Sequence, residues 1–574
     1  MSVTFRLPFI LAALAGLAGC ATVPPAPAAP VEVAIIAIND FHGNLEPPRR
    51  SVTAQRADGS EVSVPAGGAA YLAGAIASLR ARHRHSAVVS AGDMIGASPL
   101  ASGYFLDEPA IQAMNLAGVE FNALGNHEFD RGRAEVLRIQ NGGCEKTGIR
   151  NPCALEPFAG ARFRQLAANT LAESGQTLLP GTALKTFGSG PASVTVGFIG
   201  VTTKATSTLV SPDGIAGLTF ADEAATINAA VPALRASGAD AVVVLIHEGG
   251  STEGGYNDKS CPALSGAIVP ILEGLSVKVD AVVSGHTHRA YVCQVARGDA
   301  GPTLLTSAGS AGTLVTEIVL AIDPASGAVE MRRADNHIVQ GEGYSDTRGA
   351  VPLAADVPRF DPQPEVAALV ARYVAASREA AARPVGRLAG PAERAMHGPG
   401  PRLVADAQLA ASRSAGAVLA FTNPFGVRTD LVPSPDGTVT YGQLYAMQPF
   451  ANTLVTMTLT GAQIRAALEQ GLADPANTQW LAPSANVSYR YDMTRPAGAR
   501  IREVTVDGQP LDPARAYRVT VNSFLSTGGD GYAAFREGTD RTVGVSDLEA
   551  LEMWLDDEGV RPVPAMPRAL DDAR

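Results

Sequence analysis

The chain has 574 residues, 46% hydrophobic and 18% charged, with a net charge of −11 and a pI near 5.4. That length exceeds one hydrophobic core, with a prior of roughly three or four ordinary domains, and the composition excludes a disordered chain. The acidic balance argues against binding to a nucleic-acid polymer, which needs clustered Lys and Arg to replace counterions, but leaves room for small anions held by local metals or arginines.

At the N-terminus, Arg6 precedes an apolar run from Leu7 to Leu17, followed by Ala18-Gly19-Cys20. The run is too short for an ordinary membrane span, so residues 1–20 read as a signal peptide. Small residues directly before Cys20 resemble the bacterial lipobox, which makes Cys20 a lipid-bearing N-terminus and residues 21–30 a Pro/Ala tether to the membrane. Ala21 after the cysteine, by resemblance to sorted lipoproteins, favours the periplasmic face of the outer membrane. The remaining Cys144, Cys153, Cys261 and Cys293 allow three disulfide connectivities, of which proximity favours Cys144 with Cys153 and Cys261 with Cys293. No CxxC spacing supports a cysteine metal site instead.

The β-branched run Val31 to Ile38 ends in Asn39-Asp40-Phe41-His42, which puts a carboxylate and an imidazole two residues apart at a strand end. Polar Glu46 to Pro65 reads as a loop. Ala69 to Arg82 reads as a helix, with Arg80, Arg82, His83, Arg84 and His85 as its solvated cationic end. A second buried run, Ala87 to Ser90, delivers Asp93, and helical Glu108 to Leu116 leads to strand-like Val119 to Leu124 and then Gly125-Asn126-His127-Glu128-Phe129-Asp130. Asn141 to Pro157, with two cysteines, reads as an excursion from the sheet. Val194 to Val201 is strand-like and Ala221 to Ala236 helical; strand-like Ala241 to Ile246 delivers His247, and Val279 to Ser284 delivers Gly285-His286-Thr287-His288.

The strand pattern relaxes near Ile322 to Gly327, and Gly341 to Gln363 is loop-like. Pro364 to Ala382 has helical spacing at Val366, Leu369, Val370, Tyr373 and Val374, which suits a linker helix. A second mixed region follows, with helical Arg402 to Ser414, strand-like Val418 to Phe421 and Leu454 to Leu459, helical Gly461 to Gln470 and strand-like Tyr517 to Val521. Two α/β domains joined by a helix fit this order better than a repeat array. The expected boundaries are 31–345, a linker at 346–383, 384–565 and a tail at 566–574.

A lone Gly-Asn-His carries little weight. Five strand-like runs ending in Asp, Asn or His carry more, since together they deliver Asp40, His42, Asp93, Asn126, His247, His286 and His288. Carboxylate, imidazole and amide donors suit divalent first-row metals, and one carboxylate such as Asp93 can bridge two cations. Two cations about 3.5 to 4 Å apart activate water and clamp phosphoryl oxygens, so phosphoester hydrolysis is the natural chemistry. His127 is placed to stabilise or protonate the leaving oxygen and Asp130 to orient its imidazole.

These blocks, in the order DxH, GD, GNH(E/D), a lone His and GHxH, resemble the calcineurin-like metallophosphoesterases. Within them the chain is similar to the bacterial periplasmic 5′-nucleotidase and UDP-sugar hydrolase family, from about Val33 to Val563. The resemblance implies an N-terminal sandwich of mixed sheets with flanking helices, a linker helix and a C-terminal α/β 5′-nucleotidase domain. It also implies two divalent ions, Zn, Mn or similar, one on Asp40, His42, Asp93 and His288 and the other on Asp93, Asn126, His247 and His286.

In the second region Gln448-Pro449-Phe450-Ala451-Asn452 and Asn522-Ser523-Phe524-Leu525-Ser526-Thr527-Gly528-Gly529-Asp530-Gly531 resemble the family's two substrate signatures. By that resemblance Phe450 and Phe524 sandwich a nucleobase, and Asn452 and Asp530 make polar substrate contacts. An isolated aromatic is more often a core residue, but polar and Gly-rich flanks favour exposed stacking rings. One stretch departs from the family. Where it has Asn followed by three glycines, a branched residue and Arg, this chain has Asn423-Pro424-Phe425-Gly426-Val427-Arg428. Arg428 stays available for a phosphate or carboxylate, while Pro424 removes an N–H and backbone freedom.

The expected activity is hydrolysis of nucleoside 5′-monophosphates, with nucleotide sugars as further candidates, by an exported monomer. A 2′,3′-cyclic nucleotide phosphodiesterase and 3′-nucleotidase is the nearest alternative. A sulfur-ester hydrolase of the same fold has no need of the aromatic pair, and a non-catalytic nucleotide-binding lipoprotein has no need of intact ligands.

Overall fold

Alternation along the first strand, Val31–Ile38, sets the architecture of the N-terminal half. Val33, Ile35 and Ala37 face a second sheet, while Ile36 and Ile38 face helices. The computed structural model describes residues 1–2, 29–56, 58–146, 151–210, 214–298, 301–346, 349–395, 397–450, 452–475, 478–556 and 559–572; the expected signal peptide, Cys20 and most of the tether lie outside them.

The first sheet runs in the order Val329–Ile338, Leu314–Ile322, Val31–Ile38, Ser86–Ser90, Phe121–Ala123, Arg164–Leu166. The second runs Ala290–Val295, Thr303–Ala308, Ala281–Ser284, Ala241–His247, Val194–Thr202, Thr182–Phe187. Their inner faces form one core, with Phe121 stacked on Phe198 at 4.7 Å. On the outer faces lie the helices Ala69–Arg80 and Glu108–Ala117 on one side and Glu223–Ala236 on the other. This is the expected sandwich of mixed sheets with flanking helices. Both sequence-adjacent disulfides, Cys144–Cys153 and Cys261–Cys293, are formed.

The structure corrects four local readings. The expected loop at Glu46 to Pro65 contains a hairpin, Ser51–Gln55 with Glu61–Pro65, because Val52, Ala54, Val62 and Val64 alternate toward a small apolar cluster. The relaxed stretch near Gly327 is a turn, and beyond it lies a strand the sequence did not mark: Val329–Ile338 returns along Leu314–Ile322 as an edge strand with one face in water. The cationic end after Arg80 is not simply solvated: His83 Nε2 lies 2.6 Å from Glu317, which also meets His337 at 3.1 Å. The helix Pro364–Ala382 has the expected bounds, yet its Val366, Leu369 and Tyr373 are buried in the first domain's outer core, so it is docked rather than a free spacer.

The C-terminal half has a five-stranded sheet in the order Ala482–Pro483, Leu419–Thr422, Ala516–Asn522, Thr453–Thr460, Thr539–Ser546. A four-stranded sheet packs beside it, and Ala569–Asp571 joins that sheet along Val487–Tyr491. Residues 569–571 of the expected tail therefore belong to the domain's sheet, and beside them Arg568 binds Asp406 at 2.7 Å. The two halves interlock where Leu100 enters a C-terminal core cluster and Gly103 lies against the buried Tyr445; a Cβ on Gly103 would sit 2.3 Å from the Tyr445 hydroxyl.

Candidate active site

Parallel pairing puts the site at one edge of the sandwich. Val31–Ile38, Ser86–Ser90 and Phe121–Ala123 run in parallel, as do Ala241–His247 and Ala281–Ser284, so the residues after each strand emerge together. Asp40, His42, Asp93, His286 and His288 all adopt left-handed backbone, with φ between 48° and 71°. Such residues cost on the order of 1 kcal/mol or more each and persist only where the surroundings dictate them. The glycines of the motifs allow this crowding: a Cβ on Gly125 would lie 2.1 Å from Asp93 Oδ1, and one on Gly92 would lie 2.7 Å from His247 Nδ1.

Three sets of donor atoms converge, Asp40 with His42 and His288, His42 with Asp93 and His127, and Asp93 with His247 and His286, each within 4.8 Å. His42 Nδ1 donates to the Gly96 carbonyl at 2.9 Å and His247 Nδ1 to the Ala91 carbonyl at 2.8 Å. A carbonyl only accepts, so each ring in its neutral form turns an Nε2 lone pair inward, as metal-binding imidazoles do. There His42 Nε2 stands 3.0 Å from His288 Nε2, and His247 Nε2 stands 3.0 Å from Asp93 Oδ2. The buried Oδ1 of Asn126 has no hydrogen-bond partner. Inward lone pairs, converging carboxylates and an orphaned amide oxygen fit divalent cations.

The electrostatics of the protein alone are correspondingly skewed. Burial pushes the His42 imidazole down to about 3. Burial also disfavours a charged His247, but Asp93 outweighs it and lifts that pKa to about 10. Burial raises the Asp93 carboxyl, while His247 and His127 prevail and hold it well below the ordinary range.

His127 lies beside this cluster. Its Nδ1 donates to Asp130 Oδ2 at 2.8 Å and its backbone N–H to Asp93 Oδ1 at 2.9 Å. Burial lowers the ring's pKa, but Asp130 and Asp93 more than offset that, with a net rise. Glu128, for which the sequence suggested no role, is 3% exposed. Its Oε2 accepts the N–H groups of Asp93 at 3.0 Å and Gly125 at 2.6 Å, and its Oε1 that of Met94 at 2.9 Å. It stitches the Asp93 loop to the Asn126 loop.

The C-terminal candidates reach the same place. Asp93, Asn126, His127, Asp130, His286 and His288 share a cavity of about 370 Å³ with Arg428, Phe450, Asn452, Phe524 and Asp530. Asp40, His42 and His247 are buried just behind its wall. Phe450 lies nearly parallel to His127, 5.8 Å between ring centres and 12° between planes, with the Arg428 guanidinium 5.7 Å from its own centre. One face of Phe524 is covered by Gly529, whose Cβ would fall 2.5 Å from the ring. Asn423 Nδ2 donates to Asp530 Oδ2 at 2.7 Å, and Asn452 Nδ2 faces Asp547 Oδ2 at 3.4 Å. Asn423, Phe425, Gln479 and Asn522 also line the cavity. Asn423, Phe425 and Asn522 sit in stretches the sequence had marked, whereas nothing near Gln479 signalled it.

The family of calcineurin-like phosphoesterases matches residues 33–290, and that of 5′-nucleotidase C-terminal domains matches residues 384–537. The chain is a calcineurin-like phosphoesterase with a 5′-nucleotidase C-terminal domain. It is therefore of a class of metal-dependent phosphoric ester hydrolases. This phosphoesterase is 27% identical over 528 residues to the endonuclease YhcR of Bacillus subtilis, covering 91% of the chain but only 39% of that protein. It is 23% identical over 568 residues to the NAD 5′-nucleotidase of Haemophilus influenzae, covering 88% of the chain and 86% of the relative. The crystal structure of a 5′-nucleotidase precursor from Thermus thermophilus superposes with a TM-score of 0.70 at 24% identity, covering 94% of this chain and 99% of that one, which establishes the shared fold.

Proposed function

We propose that this phosphoesterase hydrolyses nucleoside 5′-monophosphates, with nucleotide sugars as a second substrate class, using two divalent cations of the Zn or Mn type. The observation that carries the reading is the shared cavity where inward-facing metal donors meet the half-buried rings of Phe450 and Phe524 and an arginine. The name of the Haemophilus influenzae relative, NAD 5′-nucleotidase, supports a nucleotide substrate. One cation belongs to Asp40, His42, Asp93 and His288, the other to Asp93, Asn126, His247 and His286. Bound there, divalent cations supply Lewis acidity toward phosphoryl oxygens and bring water's pKa near neutrality.

The chain's own groups do the rest. Asp93 holds the two donor sets together, and Glu128 fixes the loops that carry Asp93 and Asn126. His127, with its Nδ1 proton committed to Asp130, offers Nε2 as the proton donor to the departing nucleoside oxygen. Phe450 shields the face of His127 from water and, with Phe524, presents the stacking surface for the base, while Arg428 meets phosphate. Asn452 and Asp530 take the polar groups of the nucleoside.

The reading includes export with a lipid at Cys20. No helix among the described residues is long and apolar enough to cross a membrane, and two disulfides suit an oxidising compartment. Phosphate release from 5′-AMP, 3′-AMP, 2′,3′-cyclic AMP and a UDP-sugar by metal-reconstituted protein tests the activity. Hydrolysis of 5′-AMP ahead of both isomers is the expected result; preference for the cyclic ester replaces the reading with the 2′,3′-phosphodiesterase alternative.

A further inference from the structure

A third ring stands in the cavity wall. Phe425 lines it alongside Phe450 and Phe524 and is 45% exposed, unlike most aromatic side chains of the molecule. Its presentation is built into the loop. Pro424–Gly426 is one turn of 3₁₀-helix, closed by the Gly426 N–H on the Asn423 carbonyl at 3.2 Å, and Pro424 fixes its own φ. Gly426 is needed where it stands, since a Cβ there would lie 2.8 Å from Asn423 Oδ1.

The turn is also anchored. Asn423 Oδ1 accepts from Asn522 Nδ2 at 3.1 Å, and Asn423 Nδ2 donates to Asp530 at 2.7 Å. Asn522 in turn caps the short helix Ser523–Ser526 that carries Phe524. The network thus couples Phe425 to the loop that carries Phe524, and both rings line the same cavity. An exposed ring held on a rigid turn is preorganised apolar surface, which gains only when a ligand covers it.

We propose that Phe425 is a specificity-determining residue: it packs against the rim of a base held by Phe450 and Phe524 and favours purines over pyrimidines. The inference rests on the nucleotide reading above. A fused two-ring base reaches further from its sugar than a single ring, so it buries more of Phe425, while a pyrimidine leaves that surface wet. A glycine-lined loop offers no such discrimination.

The test is the ratio of kcat/KM for AMP and GMP to that for UMP and CMP, measured on the parent, Phe425→Ala and Phe425→Leu, each metal-reconstituted and checked for cooperative unfolding. The parent should prefer purines. The ratio should fall about five-fold or more in Phe425→Ala, the lower range for losing one stacking contact, through KM rather than kcat. Phe425→Leu, which keeps apolar bulk without a flat ring, should lie between. A ratio unchanged in both variants, or a change confined to kcat, overturns the role of Phe425 while leaving nucleotide hydrolysis standing. If the parent hydrolyses no nucleoside 5′-monophosphate, the nucleotide reading fails and this inference fails with it.

Discussion

Replacing Glu128 by Gln removes a charge and one acceptor while leaving the shape of the side chain almost unchanged. The carboxylate accepts three backbone N–H groups, two at Oε2 and one at Oε1, in a place where the side chain is 3% exposed. A glutamine oxygen can serve the pair from Asp93 and Gly125, but its NH₂ then faces the Met94 N–H. A stranded buried donor costs about 1–3 kcal/mol, and bonds to a charged acceptor are worth about 1.5–3 kcal/mol against about 1 for neutral ones. Burial and Asp93 push the Glu128 carboxyl up to about 7, so relief of a buried charge offsets part of that loss above this pH, and the net destabilisation there is roughly 1–2 kcal/mol, expected to lower Tm by roughly 2–8 °C. Because the affected loop carries Asp93, kcat/KM should fall at least as far as for a lost outer partner of a metal ligand, about ten-fold or more. Thermal unfolding, metal content and phosphate release on one preparation check all three. Parent-like Tm and turnover in Glu128→Gln would show that the two loops hold their geometry without the carboxylate.

Asp93→Asn should lose metal and nearly all activity, whereas Asp130→Asn should keep metal and lose about 10–100-fold in turnover; equal metal retention in both refutes the bridging role of Asp93. Gly529→Ala drives a methyl into Phe524 at 2.5 Å and should raise KM for nucleotides well above its effect on glycerol phosphate, which steady-state kinetics will show. Burial pushes the Asp530 carboxyl up to about 6 from 3.8. Its folded pKa is the higher one, so its contribution to stability is full below pH 3.8 and is lost as pH rises through 6. Asp530→Asn, whose amide also tolerates the φ of 54°, should therefore gain stability over the parent at pH 7.5 but not at pH 4, by at most ~3 kcal/mol; denaturant titration at both values would contradict this if the difference were the same.

The strands and the site's donor residues were legible because both follow from short-range pattern. Buried β-branched runs such as Ala241–His247 announce themselves, and parallel strands bring their ends to one edge. What the sequence could not carry was pairing across distance. Glu128 sits inside a recognised block, but its purpose depends on which loop folds over it. His83 resembles any helix-end cation until Glu317, 234 residues away, meets it. The hairpin after Arg50 was hidden by its polar outer face, and the helix Pro364–Ala382 looked like a spacer because its four buried residues are few among nineteen. The flat contact of Phe450 on His127 joins the two halves, so no local signal in either could reveal it.

The central claim is that a base-recognising surface in one half positions the phosphoester for chemistry in the other. The direct measurement is the ratio of kcat/KM for 5′-AMP to that for glycerol phosphate in the parent and in Phe450→Ala/Phe524→Ala, with metal content matched. Both substrates use the same donors and His127, so any disturbance of His127 by loss of its neighbour Phe450 cancels in the ratio. Stacking worth about 1–3 kcal/mol per base predicts a fall of about five-fold or more. An unchanged ratio would contradict the account.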